Sequence, residues 1–170
     1  MIIKFFLKLK KRLKTKYWTY QVRRNAAGAG EGLKVNGRSN ATRNTILGKN
    51  VNFNGMQISG GGRVSIGNNF HSGPDCLMIS QNHNFNDGTA IPYDSTYIYK
   101  DIVIKDNVWL GSRVIVLGGV TIGEGAIIQA GSCVVNDIPD YAIAGGHPAK
   151  VFSYRDIEHY EALKSAGKFH

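Results

Sequence analysis

The chain has 170 residues, 42% of them hydrophobic, with 21 Gly and 4 Pro, which suits one compact domain with its own core and excludes a disordered tail. Its two cysteines, Cys76 and Cys133, cannot make a disulfide framework; each falls inside an apolar repeat, where a buried thiol in a reducing compartment is expected. Of the 21 lysines and arginines, nine lie in residues 1–24 with no acidic residue, leaving twelve to balance the 12 aspartates and glutamates, so the basic character belongs to an arm and no nucleic-acid-binding face is expected.

Residues 1–24 read as a basic amphipathic helix. Ile2, Phe6, Leu9, Leu13, Tyr17 and Tyr20 share roughly one face, and most lysines lie elsewhere. Such a helix packs on the domain or a neighbouring subunit with its lysines in solvent, or docks peripherally on an anionic membrane. No run reaches the ~18 to 20 apolar residues of a membrane span, and the opening MIIKFFLKLKKRLK breaks its apolar residues with lysines too early for a secretory signal. A cytoplasmic chain is expected, with peripheral contact at the inner face of the membrane left open.

Residues 25–45, rich in Gly, Asn, Ser and Arg, read as a connecting segment. Over residues 46–138 a period of six takes over. Ile104, Leu110, Val116, Ile122, Ile128 and Val134 form one series, and Val108, Val114, Val120, Ala126 and Ser132 fall four residues after its successive members. Leu47 with Phe53 and Val51 with Gln57 begin the pattern, which slips near Gly60–Gly62 and resumes with Ile66, Ser72 and Met78 beside Val64, Phe70 and Cys76. Six is neither the helical nor the strand period. It predicts short extended segments joined by tight corners, three of them closing a triangular coil of about 18 residues. Gly111, Gly119, Gly123, Gly125, Gly131 and Asn107 suit the corners. The rhythm stops over residues 82–100, which predicts a loop excursion, and loops on rigid scaffolds are where sites are built. Residues 139–170 form an extension ending in a short helix, with Ile157, Tyr160 and Leu163 as its apolar stripe, expected to cap the open end of the coil.

The run DNVWLGSRVIVLGGVTIGEGAIIQAGSCVVNDIPDYAIAGGHPAKVF, together with the Asn82-His83 dipeptide at the root of the loop, resembles the hexapeptide-repeat acyltransferase family. The likeness is to its branch of sugar, xenobiotic and capsular-polysaccharide O-acetyltransferases, and it extends from about Gly48 to Phe152. It implies an all-β, single-domain left-handed parallel β-helix that assembles as a homotrimer. It also implies transfer of acetyl from acetyl-CoA, bound between adjacent prisms, to an acceptor hydroxyl or amine.

By the same resemblance His83 falls on the catalytic histidine. A sugar hydroxyl becomes nucleophilic when a base takes its proton, and an imidazole, ordinarily titrating near pH ~6.5, suits that task. Attack on the thioester is then direct, and the proton returns to the CoA thiolate. Asp75 and Asn82 are the nearest polar candidates in sequence for orienting His83, a backbone carbonyl being the alternative. Trp109 matches a tryptophan that lines the acetyl pocket. Gly111, Ser112, Ala130 and Gly131 match positions along the pantetheine arm, and Lys150 of the GHPAK segment is the cation for a CoA phosphate. His71, His147, His159 and His170 form no ligand-spaced cluster and the cysteines no CxxC, so no metal is expected.

A saccharide hydroxyl, in a surface polysaccharide or its precursor, is the first expectation for the acceptor, with Tyr93, Tyr97 and Tyr99 as stacking surfaces for its ring. An amino sugar acetylated on nitrogen and a hydroxylated antibiotic remain alternatives. A nucleotide-linked amino sugar would call for nucleotide contacts that the sequence does not display. A purely structural coil is the non-enzymatic alternative; the joint presence of His83, Trp109 and Lys150 in order argues against it.

Overall fold

The computed structural model describes residues 2–170, except for the side chains of Ile2 and Phe5. The expected helix therefore begins, at Met1 and the Ile2 side chain, outside the described residues. Beyond it the chain winds as a left-handed parallel β-helix. One face is built from Gly28–Ala29, Thr45–Leu47, Val64–Ile66, Ile102–Ile104 and Thr121–Ile122. A second is built from Lys34–Val35, Asn52–Phe53, His71–Ser72, Trp109–Leu110, Ile127–Ile128, Ala142–Gly146 and Ala149–Tyr154. The third comprises Met56–Ser59, Cys76–Ile79, Ile115–Leu117 and Cys133–Val134.

The six-residue period has a simple cause. Each short strand turns two residues inward, separated by one that faces out, and a corner follows. Val114 with Val116, Val120 with Ile122 and Ala126 with Ile128 are all buried in this way. Strands one turn apart pair in parallel, as Trp109 does with Ile127 and Leu110 with Ile128, so inward side chains stack into one continuous core. Each fully buried Val, Leu or Ile contributes about 1.5–3 kcal/mol. Phe53 and Phe70 meet edge to face at 5.8 Å between ring centroids and are the two largest fully buried side chains.

The coil starts earlier than the expected boundary at residue 46. Gly28–Ala29 pairs with Ile46–Leu47, Lys34–Val35 pairs with Asn52–Phe53, and Asn40 bridges to Gln57. Leu33, Val35, Ser39, Ala41 and Thr45 point inward, so residues 28–45 are the first turn of the coil rather than a connection. Small and polar residues at inward positions hide the period there. The phase also shifts sooner than expected: Met56 and Ile58 are buried and Gln57 is half-buried. The corner at Asn54–Gly55 is short and the one at Gly60–Gly62 is long, and the two together produce the slip.

The corner between the first and second faces carries Asn50, Asn69 and Asn107 at φ of 54°, 54° and 61°, a region that asparagine tolerates better than most residues. Their amides form a ladder, Asn50 Nδ2 donating to Asn69 Oδ1 at 3.1 Å and Asn69 Nδ2 to Asn107 Oδ1 at 2.9 Å. Helix α2 (Ile157–Ser165) runs beside this ladder. Tyr160 Oη accepts from Asn107 Nδ2 at 2.7 Å and donates to Glu124 at 3.1 Å; Lys164 pairs with Glu124, and Asn50 Nδ2 donates to the carbonyl of His170. Burial, with the nearby Glu124 carboxylate, pushes the Tyr160 phenol up to about 12. The helix thus lies along a side of the prism. It does not cap the end, because its tyrosine and lysine are matched to polar corner groups. The last turn is instead closed by the antiparallel pair Ala142–Gly146 and Ala149–Tyr154.

The opposite end is covered by α1 (Ile2–Asn25). Val22 is fully buried and Trp18 packs against the core, while Thr19 Oγ1 accepts from the Val35 amide at 3.0 Å. At 100° per residue the packed side is that of Thr15, Trp18, Thr19 and Val22, and Leu9, Leu13, Tyr17 and Tyr20 are exposed on the other. The helix does pack on the domain, but with its apolar stripe turned outward, reversing the orientation expected of a packed amphipathic helix.

Candidate active site

The excursion after Ser80 is an ordered hairpin arm. Ser80 is fully buried and its hydroxyl donates to the carbonyls of Ser59 and Gly62 at 3.0 and 3.1 Å, which anchors the root. Gln81–His83 then pairs antiparallel with Tyr97–Tyr99, His83 opposite Tyr97. At the tip, the Asp94 carboxylate accepts from the amides of Thr89 and Thr96, each at 2.9 Å, and from both threonine hydroxyls. Hydrogen bonds from Thr96 first, then Thr89, lower its pKa to about 2.

This arm clamps His83 between aromatic rings. The imidazole stacks on Tyr93 with centroids 3.8 Å apart and planes 17° from parallel, and Tyr97 lies 4.7 Å away. Its Nδ1 is buried and has no hydrogen-bond partner among the described residues. Two of the three tyrosines expected to face a sugar thus also hold the histidine, all three remaining exposed on the arm, and Tyr99 covers Gly61, where a β-carbon would collide with its ring.

Neither expected orienting partner is brought to His83 within one chain. Asn82 is exposed on the other side of the strand, since adjacent strand residues point to opposite faces. Asp75 stands at the far end of Cys76–Ile79 at φ 59°, its carboxylate 4.0 Å from Arg113 Nε. Four strand residues at about 3.3 Å each put roughly 13 Å between the two ends of that strand.

The remaining expected residues gather at that far end. Trp109 projects from the second face, half exposed, in an outward row formed by the registers Lys34–Asn52, Asn52–His71, His71–Trp109 and Trp109–Ile127. The chain then turns the corner through Gly111 and Ser112, and one turn on through Ala130 and Gly131. A β-carbon on Gly111 would lie 2.5 Å from the Ala130 amide nitrogen, so glycine is needed for the two turns to stack. Gly131, at φ +74°, has open space around it, and its amide donates to the Ser112 carbonyl at 2.8 Å. Lys150 is exposed and in register with Gly145, while the Gly146 amide donates to Ser132 Oγ at 3.1 Å. Gly111, Ser112, Ala130, Gly131 and Lys150 thus border one corner, and His83 stands across the third face from them.

Sequence reasoning missed His71, which lies next to Trp109 in the outward row and beside a groove of about 450 Å³ under the C-terminal tail. Burial, then the charges of His170 and Lys34, lower its pKa. Its Nε2 is 3.2 Å from Asn54 Nδ2, a neutral ring nitrogen accepting from an amide. The two residues are 38 apart in sequence, with the arm between them, so their shared register has no local signal. Among the described residues no three His, Cys, Asp or Glu side chains gather where they would hold a metal ion, and no helix is long and apolar enough to cross a membrane.

Residues 101–136 match the family model of the bacterial transferase hexapeptide, six repeats. The chain is 38% identical over 88 residues to a galactoside O-acetyltransferase of Lactococcus lactis, a match that covers 52% of this chain and 42% of the relative. It thus spans less than half the length of the curated relatives it matches first. Among solved structures, a hexapeptide-repeat acetyltransferase of Vibrio cholerae complexed with acetyl coenzyme A superposes with a TM-score of 0.65 at 25% identity, covering 78% of this chain and 73% of that one. A galactoside acetyltransferase in complex with coenzyme A superposes with a TM-score of 0.64 at 26% identity, covering 88% and 84%.

Proposed function

Because the chain belongs to the hexapeptide-repeat acetyltransferase family, we propose that it moves the acetyl group of acetyl-CoA to a hydroxyl of a saccharide, a surface polysaccharide or its precursor. The observation that carries this reading is the clamp on His83, an ordered imidazole at the root of a projecting arm. The corner of Gly111, Ser112, Ala130 and Gly131 fits an extended cosubstrate arm: its backbone is open at Gly131, and Lys150 supplies a cation for a phosphate. Bound there, acetyl-CoA supplies the thioester, with Trp109 beside it. His83 takes the proton of the acceptor hydroxyl as its oxygen bonds to the thioester carbon. The carbon–sulfur bond breaks, and His83 returns the proton to the sulfur, leaving an ester and a free thiol.

In this reading the working unit is a homotrimer. His83 and the Gly111–Lys150 corner border opposite edges of the third face, so base and thioester meet where the arm of one copy reaches the corner of the next. The test is acetyl-CoA-dependent thiol release with a panel of saccharides, nucleotide-linked amino sugars and hydroxylated antibiotics. Release driven by a saccharide is expected; a folded protein that binds no acetyl-CoA would remove the transferase reading and the cofactor corner together.

Peripheral contact with a membrane completes the reading. The stripe of Leu9, Leu13, Tyr17 and Tyr20 is turned away from the coil and flanked by lysines, the arrangement of a helix lying in an anionic bilayer interface. Wild-type protein is expected to sediment with phosphatidylglycerol vesicles and not with phosphatidylcholine vesicles. Leu9→Glu with Leu13→Glu abolishes sedimentation; wild-type protein left in the supernatant would remove the membrane contact.

A further inference from the structure

The side of α1 turned toward the coil is basic where it extends beyond Trp18. There Lys8, Lys11, Arg12 and Lys16 converge with Lys34 of the second face on a cleft of about 650 Å³. None of these five cations has a carboxylate partner among the described residues. The surrounding chain offers little compensation, because Glu31 is the sole acidic residue before Asp75. Asn36 and Asn54 close the cleft floor as donors and acceptors, Asn36 accepting from Thr15 Oγ1 at 3.3 Å and donating to Asn54 Oδ1 at 3.0 Å. Convergent, unpaired cations repel one another, and a polyanion bound among them turns that repulsion into several charge-assisted hydrogen bonds at once.

The position of the cleft matters as much as its charge. Lys34 begins the outward row that continues through Asn52 and His71 to Trp109. Three strand spacings of about 4.8 Å put roughly 14 Å between cleft and tryptophan. A saccharide whose carrier is held in the cleft would lie along this row with its sugar toward Trp109.

We propose that the cleft between α1 and the first coil is the binding site for the diphosphate group of an activated saccharide acceptor. This rests on the saccharide reading above for the identity of the acceptor, while the anion site itself stands on the cleft alone. Either a lipid-linked or a nucleotide-linked saccharide carries this group.

The site is tested by calorimetric titration of the full chain with inorganic pyrophosphate, in the absence of acetyl-CoA. Saturable binding that weakens with salt is expected, reduced by roughly tenfold or more in Lys11→Ala with Lys34→Ala. Lys4→Ala with Lys10→Ala alters helix charge equally but removes no residue that lines the cleft, and is expected to leave binding unchanged. All three proteins are compared by circular dichroism and thermal melting first. No pyrophosphate binding, or equal losses in both double variants, would overturn the site. Titration with a uridine diphosphate sugar and with a short-chain polyprenyl diphosphate then distinguishes the two carriers; pyrophosphate binding without either would overturn the acceptor role. Since no step uses acetyl-CoA, a failed transferase assay leaves this result standing.

Discussion

Replacing His83 with alanine is expected to lower acetyl transfer by about 10²–10⁴-fold, the usual worth of a positioned general base, while acetyl-CoA binding and thermal stability stay near wild type. The loss is expected in the catalytic rate, because in the proposed reaction the imidazole acts on the acceptor proton and the expected cofactor contacts lie across the third face. His83 is half-buried on the arm, outside the coil core, and the rest of the clamp still has the ladder between Gln81–His83 and Tyr97–Tyr99 and the turn around Asp94 to order it. Rates with a saturating saccharide acceptor, measured beside calorimetric acetyl-CoA binding, separate this from a general failure to fold. Full activity in His83→Ala would assign the base elsewhere.

Phe70→Ala is expected to destabilise the protein by about 3–5 kcal/mol, the range for removing a fully buried phenylalanine. Its ring is inaccessible to solvent and packs edge to face on Phe53, so truncation both removes buried apolar surface and leaves a cavity. The hydrogen-bonded ladders above and below prevent the coil from closing that space. Phe85→Ala is the control: its side chain is 61% exposed on the arm, and a change within about 0.5 kcal/mol is expected. Urea unfolding of both variants gives the comparison, and a similar stability for the two would mean that the edge-to-face aromatic pair is not the structural centre of the coil.

The coil was legible in the sequence where inward positions are large and β-branched, as from Ile104 to Val134. It was hidden over residues 28–45, where Ser39, Ala41 and Thr45 face inward and carry no hydrophobic signal. The placement of α2 was hidden for a different reason. Its stripe of Ile157, Tyr160 and Leu163 suggests a cap, but its position is set by Tyr160 meeting Asn107 and Glu124 and by Lys164 meeting Glu124, contacts between residues far apart in sequence. The arm pairs through its backbone, with polar Gln81, Asn82 and His83 opposite Tyr99, Ile98 and Tyr97, a ladder that no alternation of polar and apolar residues announces.

For the site, the residue types and motifs singled out His83, Trp109, Gly111 and Lys150. Their distribution over two edges of one face depends on corner lengths and register. Asp75 and Asn82 illustrate the limit: both are close to His83 in sequence, yet one is at the far end of a strand and the other on its opposite side. The orientation of α1 is similar, because the helical period groups Leu9, Leu13, Tyr17 and Tyr20 on one face without telling which face meets the coil. That choice is made by Val22 and Trp18 in the last two turns, and it leaves the lysines of the preceding turns lining a cleft.

Mixing two inactive variants decides whether base and cofactor corner come from different copies. One carries His83→Ala; the other carries Trp109→Ala with Lys150→Glu and keeps His83. After the two are unfolded and refolded together, randomly mixed trimers are expected to recover about a quarter of the wild-type rate, because each shared site needs one intact contribution from each of two neighbours. Mixed trimers that form and remain inactive would contradict the account and put the base and the cofactor corner to work within a single chain.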